Sequence, residues 1–161
     1  MQPKSLKIAA LAALAILALS ATIAVADTDR ATYVAAVEPI CKTNSNANAR
    51  ILKGVRKLVQ QGKLKPAARK FTRAGAALTK AEKQIAAVEQ PAADVKALTK
   101  WLGYLKTEAR LLNRIGGELK ANKKNKASLD VVKLQHDANQ ANNVVLSFGF
   151  RYCKQNPSKY T

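Results

Sequence analysis

The chain is poor in the residue types that most often carry chemistry in proteins. It contains one histidine, His136, one methionine, Met1, and two cysteines. Met1 is the only methionine, and cleavage of an N-terminal signal peptide, described below, would remove it. The mature chain would then contain no methionine, which excludes a haem ligated by histidine and methionine. The sequence also lacks the C-x-x-C-H motif of c-type haem attachment and the C-x-x-C spacing of redox-active pairs. The scarcity of these residues argues against a haem protein or a thiol oxidoreductase.

Other catalytic signatures are missing as well. No cluster of His and Cys has zinc-site spacing, and no Glu-x-x-His pair of the di-iron bundles occurs. Neither a nucleophile elbow nor a glycine-rich phosphate loop is present. His136 falls on the outermost position of its predicted helix, where we expect a solvated side chain. We therefore expect a protein that is not an enzyme and that holds no metal and no cofactor.

The N-terminus has the pattern of a secretory signal peptide. Lys4 and Lys7 precede an uncharged run that ends in Ala24-Val25-Ala26. We predict a signal peptide over residues 1–26 and a single domain over residues 27–161. An uncleaved N-terminal anchor is the alternative, because the uncharged run is also long enough to span a bilayer. Both alternatives predict a secreted or extracytoplasmic protein of the cell envelope.

Apolar residues recur at spacings of three and four in four stretches, which is typical of amphipathic helices. Pro39 is expected to kink the first helix or to mark its true start. Short connections between four such helices predict an all-α fold, an up-down-up-down four-helix bundle. The four stretches cover residues 33–59, 67–88, 95–119 and 127–152.

The two cysteines fit this topology. In such a bundle, Cys41 near the start of helix one and Cys153 near the end of helix four lie at the same end. We therefore predict a disulfide between them, which is also typical of an oxidising compartment. A bridge that closes a loop of roughly 100 residues or more stabilises the fold by about 4–5 kcal/mol when only the entropy of the unfolded chain is counted.

Positive charge dominates the composition. The chain carries 28 basic and 10 acidic side chains, and not one acidic residue lies between Pro39 and Ala81. The first and third loops of the predicted bundle lie opposite the disulfide, and their basic residues would form a basic crown. This crown consists of Arg56, Lys57, Lys63, Lys65, Arg69, Lys70, Arg114, Lys120, Lys123, Lys124 and Lys126.

The basic crown predicts an anionic partner, either an envelope polymer or a membrane surface. Sequence-specific binding of nucleic acid is not expected, because the basic hairpin offers little aromatic surface besides Phe71 on which bases could stack. The alternative is that the charge only keeps the protein in solution.

A seam of amide side chains gives a second hypothesis, a small-ligand-binding module between helices one and four. Buried amides need hydrogen-bond partners, so the alternative role is a network that fixes the register of the helices. The seam consists of Asn44, Asn48, Gln135, Asn139 and Asn142.

A side stripe on the third helix gives a third hypothesis. Trp101 and Ile115 are expected to complete the core. Tyr104 and Leu111 lie further round the helix and would offer a contact surface for a second copy of the chain. This arrangement predicts a homodimerising structural or interaction protein.

Two segments resemble the ends of a group of small exported bacterial helical proteins. They are residues 33–41, YVAAVEPIC, and residues 147–153, SFGFRYC. The resemblance implies an exported helical bundle over the mature chain. It implies no activity and assigns no functional residue.

Overall fold

The computed structural model describes residues 28–156, so the predicted signal peptide over residues 1–26 lies outside the described residues. This part of the chain is all-helical and contains no strand, as predicted. Two short 3-10 turns accompany the helices, at Ala92–Asp94 and Leu146–Phe148. The helices are α1 (Arg30–Leu52), α2 (Val55–Gln60), α3 (Leu64–Ala86), α4 (Val95–Lys120) and α5 (Lys124–Val144).

The first predicted helix is divided into α1 and the short α2. The break lies at Gly54, whose φ of 74° falls in the left-handed region that residues with a side chain rarely adopt. At the other end of α1, the Asp29 side chain accepts a hydrogen bond of 2.6 Å from the backbone N–H of Thr32. Pro39 therefore lies inside α1, and the expectation that it marks the start of the helix is wrong.

The last helix is shorter than predicted. It ends at Val144 rather than near Tyr152, and the chain turns at Gly149, where φ is 68°. The aromatic residues beyond the helix are nevertheless buried. The ring of Phe150 stacks on Trp101 with 5.3 Å between centroids, and the Phe148 ring stacks on Phe150 at 5.5 Å. The apolar residues at helical spacing thus continue past the end of α5, because the segment after the helix folds back and buries its own aromatic side chains.

Helix α3 packs against α1, α2 and α4, and α4 also packs against α5. The contact between α3 and α4 is close at two glycines. A Cβ on Gly75 would lie 2.7 Å from Oδ1 of Asn113, and one on Gly116 would lie 3.0 Å from the carbonyl oxygen of Ala68. These distances are shorter than ordinary van der Waals contacts, so a side chain at either position would force the neighbouring atoms to move.

The hydrophobic core consists of two clusters. The first contains Phe71, Leu112 and Ile115, and the second contains Tyr33 and Trp101. On two helices a buried polar residue lies between the clusters. They are Asn48 on α1 and Glu108 on α4.

The predicted disulfide is present. It joins Cys41 to Cys153, 112 positions apart, with 4.9 Å between their Cα atoms. Beside it, the Glu38 carboxylate accepts hydrogen bonds of 2.9 Å from the backbone N–H of Arg151 and 3.0 Å from that of Tyr152. These contacts hold the segment after α5 against α1. Within the described residues, no helix has the combined length and apolarity needed to cross a membrane.

Candidate functional site

A row of cations runs along α3. Lys65, Arg69 and Arg73 are each four residues apart, a spacing that places them on one face of a helix. The rise of 1.5 Å per residue separates successive members by about 6 Å along the axis. All three side chains are exposed. The row is therefore a regularly spaced line of positive charge, inclined to the helix axis and open to solvent.

The row lines a groove between α3 and α4, which we call the α3–α4 groove. Its volume is about 550 Å³, and Lys120 adds a fourth cation from α4. The close approach at Gly116 leaves backbone and small side chains beneath the charges. Among the described residues that line the groove, none is acidic. They are Lys65, Ala68, Arg69, Thr72, Arg73, Asn113, Gly116, Gly117 and Lys120.

A second depression continues the α3–α4 groove over the turn between α2 and α3. It shares Lys65 and Lys120 with the groove, adds Lys63, and has a volume of about 390 Å³. The N-terminus of α3 lies at this turn, and its first turn contains no acidic residue. The positive end of the helix dipole therefore adds to the charge of the lysines. The two depressions together form a continuous basic surface.

The structure divides the predicted basic crown. Lys63, Lys65, Arg69 and Lys120 meet at the α3–α4 groove and its extension. Arg56 and Lys124 line a separate groove between α2 and α5. Exposed side chains away from these grooves are Lys57, Lys123 and Lys126.

Two members of the predicted crown bind other groups of the protein. Lys70 donates a hydrogen bond of 2.8 Å to the carbonyl oxygen of Ile51, at the end of α1. Arg114 donates two hydrogen bonds to the carboxylate of Asp130. These bonds raise the pKa of Arg114 and hold the pKa of Asp130 below its usual value. The charge of Arg114 is therefore largely neutralised within the fold.

Arg73 is not part of the predicted crown, although it lies four residues after Arg69 in the sequence, and this spacing indicates a shared helix face. A spacing of four residues places a side chain on the same helix face as its predecessor. The predicted crown contains only residues near the loops, so it omits Arg73. The row on α3 instead extends two turns into the helix.

The predicted amide seam does not form as one unit. Asn48 donates to Oδ1 of Asn44 at 3.3 Å, whereas Asn142 pairs with the backbone N–H and carbonyl of Gln155 at 2.8 Å each. Asn139 is exposed, and Gln135 lines the groove between α2 and α5. The expectation of one seam is wrong, because the segment after α5 folds back and takes Asn142 as its partner.

A small polar cavity lies beside the two asparagines of α1. Its volume is about 40 Å³, and Asn48 and Trp101 are among its lining residues. Oδ1 of Asn48 and Nε1 of Trp101 have no hydrogen-bond partner among the described residues. The cavity exceeds the minimum size for a water molecule, and it offers both a donor and an acceptor. Its volume suits one or two water molecules rather than a larger ligand.

Glu108 is the most perturbed acid in the described part of the chain. Its side chain is buried, and burial together with the nearby charge of Asp137 raises its pKa to about 8. Its carboxyl group is therefore neutral at pH 7. No group of three or more potential metal ligands occurs among residues 28–156, so Glu108 does not belong to such a cluster.

Two further predictions concern exposure. His136 is exposed, as expected. Leu111 is not a surface residue, because it is only 5% exposed within the first core cluster. Tyr104 is half-buried against the second cluster. The predicted contact surface formed by Tyr104 and Leu111 is therefore wrong, since α4 is covered by both α3 and α5.

Comparison of the chain with protein-family models, with curated proteins and with solved structures finds no match.

Proposed function

We propose that this protein is an exported, non-enzymatic helical bundle that binds an anionic polymer of the cell envelope through the α3–α4 groove. The observation that carries the proposal is the row of Lys65, Arg69 and Arg73 opposite Lys120, with no acidic residue among the described lining residues. A polymer with regularly repeated phosphate or carboxylate groups matches a regularly spaced row of cations better than a single small anion does. Contacts of this kind act by releasing counterions from the polymer.

The proposal includes an up-down-up-down arrangement of the helices. Arg30, at the start of α1, donates to the carboxylate of Asp94 at 2.8 Å, just before α4. Arg114, near the end of α4, pairs with Asp130 in α5. Such pairs are expected when the helices alternate in direction, and this arrangement separates the basic turns from the disulfide.

The proposal also includes export. The predicted signal peptide over residues 1–26 and the disulfide both favour an oxidising space outside the cytoplasm. If the N-terminal segment is an uncleaved anchor, the basic groove would still face the envelope. The two alternative functions predicted from the sequence, binding of a small ligand by amides of helices one and four and formation of a homodimer, stay predictions.

The experiment measures binding to linear inorganic polyphosphate as the salt concentration is raised. Four phosphate contacts predict a slope of about −3 when the logarithm of the association constant is plotted against the logarithm of the salt concentration. The triple variant Lys65→Glu, Arg69→Glu, Arg73→Glu should bind at least tenfold more weakly than the wild type. Affinity that does not change with salt would contradict the proposal.

A matched control separates the groove from the total charge. The triple variant Lys83→Glu, Lys96→Glu, Lys100→Glu changes the net charge by the same amount at exposed positions outside the groove. It should retain most of the affinity. Equal losses in both variants would mean that only the overall charge matters. Anionic vesicles serve as the second probe, and binding to vesicles without binding to polyphosphate would favour a membrane surface instead.

A further inference from the structure

A second groove lies between α2 and α5, and its interior is apolar. We call it the α2–α5 groove. Its volume is about 500 Å³. Phe71 from α3 and Ile115 and Leu119 from α4 are buried at its base. The remaining apolar side chains belong to the two flanking helices and are Val55, Val59, Ala127, Val131 and Val132.

The apolar surface of the α2–α5 groove extends to solvent. Val132 is 60% exposed, and Leu129 on the same helix is 63% exposed. Helix α2 has only six residues, and a glycine with positive φ lies on each side of it, Gly54 and Gly62. The groove therefore has one wall made of a short helix between two glycine turns, and one wall on α5 where Val132 is exposed.

The charged residues that line this groove are basic. Arg56 from α2 and Lys124 from α5 are its charged lining residues, and none of the described residues that line it is acidic. Both side chains are exposed. An apolar cleft with cations at its edge is complementary to a molecule that has an apolar chain and an anionic head. The volume lies within the roughly 300–1,000 Å³ that small-molecule sites occupy.

We propose that the α2–α5 groove binds a single anionic amphiphile with one acyl chain, of the fatty-acid class. The chain packs over Phe71, Ile115 and Leu119, and the carboxylate lies between Arg56 and Lys124. Burial of the chain supplies most of the affinity, because the hydrophobic effect scales with the apolar area removed from water. The two cations select for a negative head group. This site is separate from the α3–α4 groove and does not depend on polymer binding.

The test is calorimetric titration of the protein with laurate below its micelle concentration. We expect one laurate per chain and a negative heat-capacity change, which marks the burial of apolar surface. Dodecyltrimethylammonium has the same chain length and the opposite charge, and it should bind at least tenfold more weakly. Equal affinity for the two amphiphiles would overturn the proposal, since the cations would then select nothing.

Variants locate the site. Arg56→Gln with Lys124→Gln, and separately Val132→Glu, should each weaken laurate binding at least tenfold, and all three positions are exposed so the fold should persist. Lys96→Gln with Lys100→Gln removes the same charge outside the groove and should leave laurate binding unchanged. Unchanged laurate binding in the Arg56 and Lys124 double variant would overturn the proposal.

Two other occupants would also overturn it. If the protein fails to bind laurate but binds phosphatidylglycerol vesicles, and Val132→Glu weakens that binding, the groove contacts a membrane and holds no single chain. If it fails to bind laurate but sediments as a dimer that Val132→Glu dissociates, a second copy covers the groove. The variant with glutamate at positions 65, 69 and 73 should bind laurate as the wild type does, so failure of one proposal leaves the other intact.

Discussion

Nη2 of Arg114 on α4 lies 2.7 Å from Oδ1 of Asp130 on α5, and the arginine binds both carboxylate oxygens. Lys133 adds a third contact, with its Nζ 3.3 Å from Oδ1. The carboxylate is 5% exposed, whereas the two cationic side chains extend into solvent. This cluster joins α4 to α5. It also reduces the free positive charge near the turn between these two helices.

The ion pair predicts a pH-dependent contribution to stability. Asp130→Asn should lower the free energy of unfolding at pH 7 by roughly 1 kcal/mol, a modest value because Arg114 is half exposed. The pKa of Asp130 is lowered in the folded state. Its contribution is therefore present above the unfolded pKa of about 3.9 and is lost as the pH falls further. Urea unfolding of the two proteins between pH 7 and pH 2 measures it.

The control is Glu89→Gln, which alters an exposed carboxylate after α3. It should change the free energy of unfolding by only a few tenths of a kcal/mol. A difference between wild type and Asp130→Asn that stays constant down to pH 2 would show that the carboxylate charge does not stabilise the hairpin.

The buried carboxyl group of Glu108 should give the free energy of unfolding the opposite pH dependence. Its pKa rises from 4.5 to about 8 on folding, so folding takes up a proton in this range. The contribution of this group is fully present below pH 4.5 and is lost as the pH approaches 8. Each unit by which the pKa is raised corresponds to about 1.4 kcal/mol. Glu108→Gln keeps the shape and removes the titration, so its stability relative to wild type should increase from pH 4.5 to 8 and then level off.

A second variant checks the cause. The charge of Asp137 contributes to the raised pKa of Glu108, after burial. Asp137→Asn should therefore lower the pKa of Glu108 and make the stability of the protein less sensitive to alkaline pH. A constant gap between Glu108→Gln and wild type over the whole range would show that folding does not raise the pKa of this carboxyl group.

The adjacent glycines of α4 should respond differently to the same substitution. Gly116→Ala would place a Cβ 2.5 Å from Oγ1 of Thr72 and 3.0 Å from the carbonyl oxygen of Ala68. We expect a loss of about 1–3 kcal/mol, because the Thr72 side chain and the backbone of α3 would have to shift. Gly117 has no atom within 4 Å of such a Cβ, so Gly117→Ala should stabilise the helix by roughly 0.5–1 kcal/mol. Thermal unfolding of both variants decides the matter, and equal effects would refute the close approach.

Removal of the disulfide should be the most damaging of these changes. The Cys41→Ala, Cys153→Ala variant opens a loop with a separation of 112 residues. The expected loss is about 2–5 kcal/mol. Urea unfolding of this variant, with the reduced wild type as a second sample, measures it. A loss below about 1 kcal/mol would mean that the unfolded chain is already compact without the bond.

The helices were predictable because their apolar residues repeat with helical spacing, and Val95–Lys120 agrees closely with its stripe. The breaks were harder to locate. The stripe of the first helix continues across Gly54, since Leu52 and Val55 are both buried on either side of the turn. The stripe of α5 likewise continues into Phe148, although the helix has ended. The spacing of apolar residues indicates which side chains are buried, but it does not show where a helix ends. A segment that folds back onto the core buries its side chains as a helix does.

The sites were predictable only in part. The density of basic residues predicted several lining residues of the α3–α4 groove, but it did not reveal that Arg114 would pair with Asp130 or that Arg73 would join the row on α3. The amide seam failed because the packing partner of Asn142 is the backbone of Gln155, a contact that helix periodicity cannot predict. Glu108 lies three residues from both Leu105 and Leu111 on a buried face, so its burial was readable from spacing. The raised pKa follows from that burial and from Asp137, which only the tertiary structure brings near.

The bond between Cys41 and Cys153 also determines how the molecule carries mechanical load. A pulling force applied to the polypeptide on either side of this bond passes directly through the two sulfur atoms. The residues between them, which include the C-terminal half of α1 and all of α2 to α5, then experience no tension. A protein attached at one end and stretched at the other would keep both grooves folded until the bond itself is reduced.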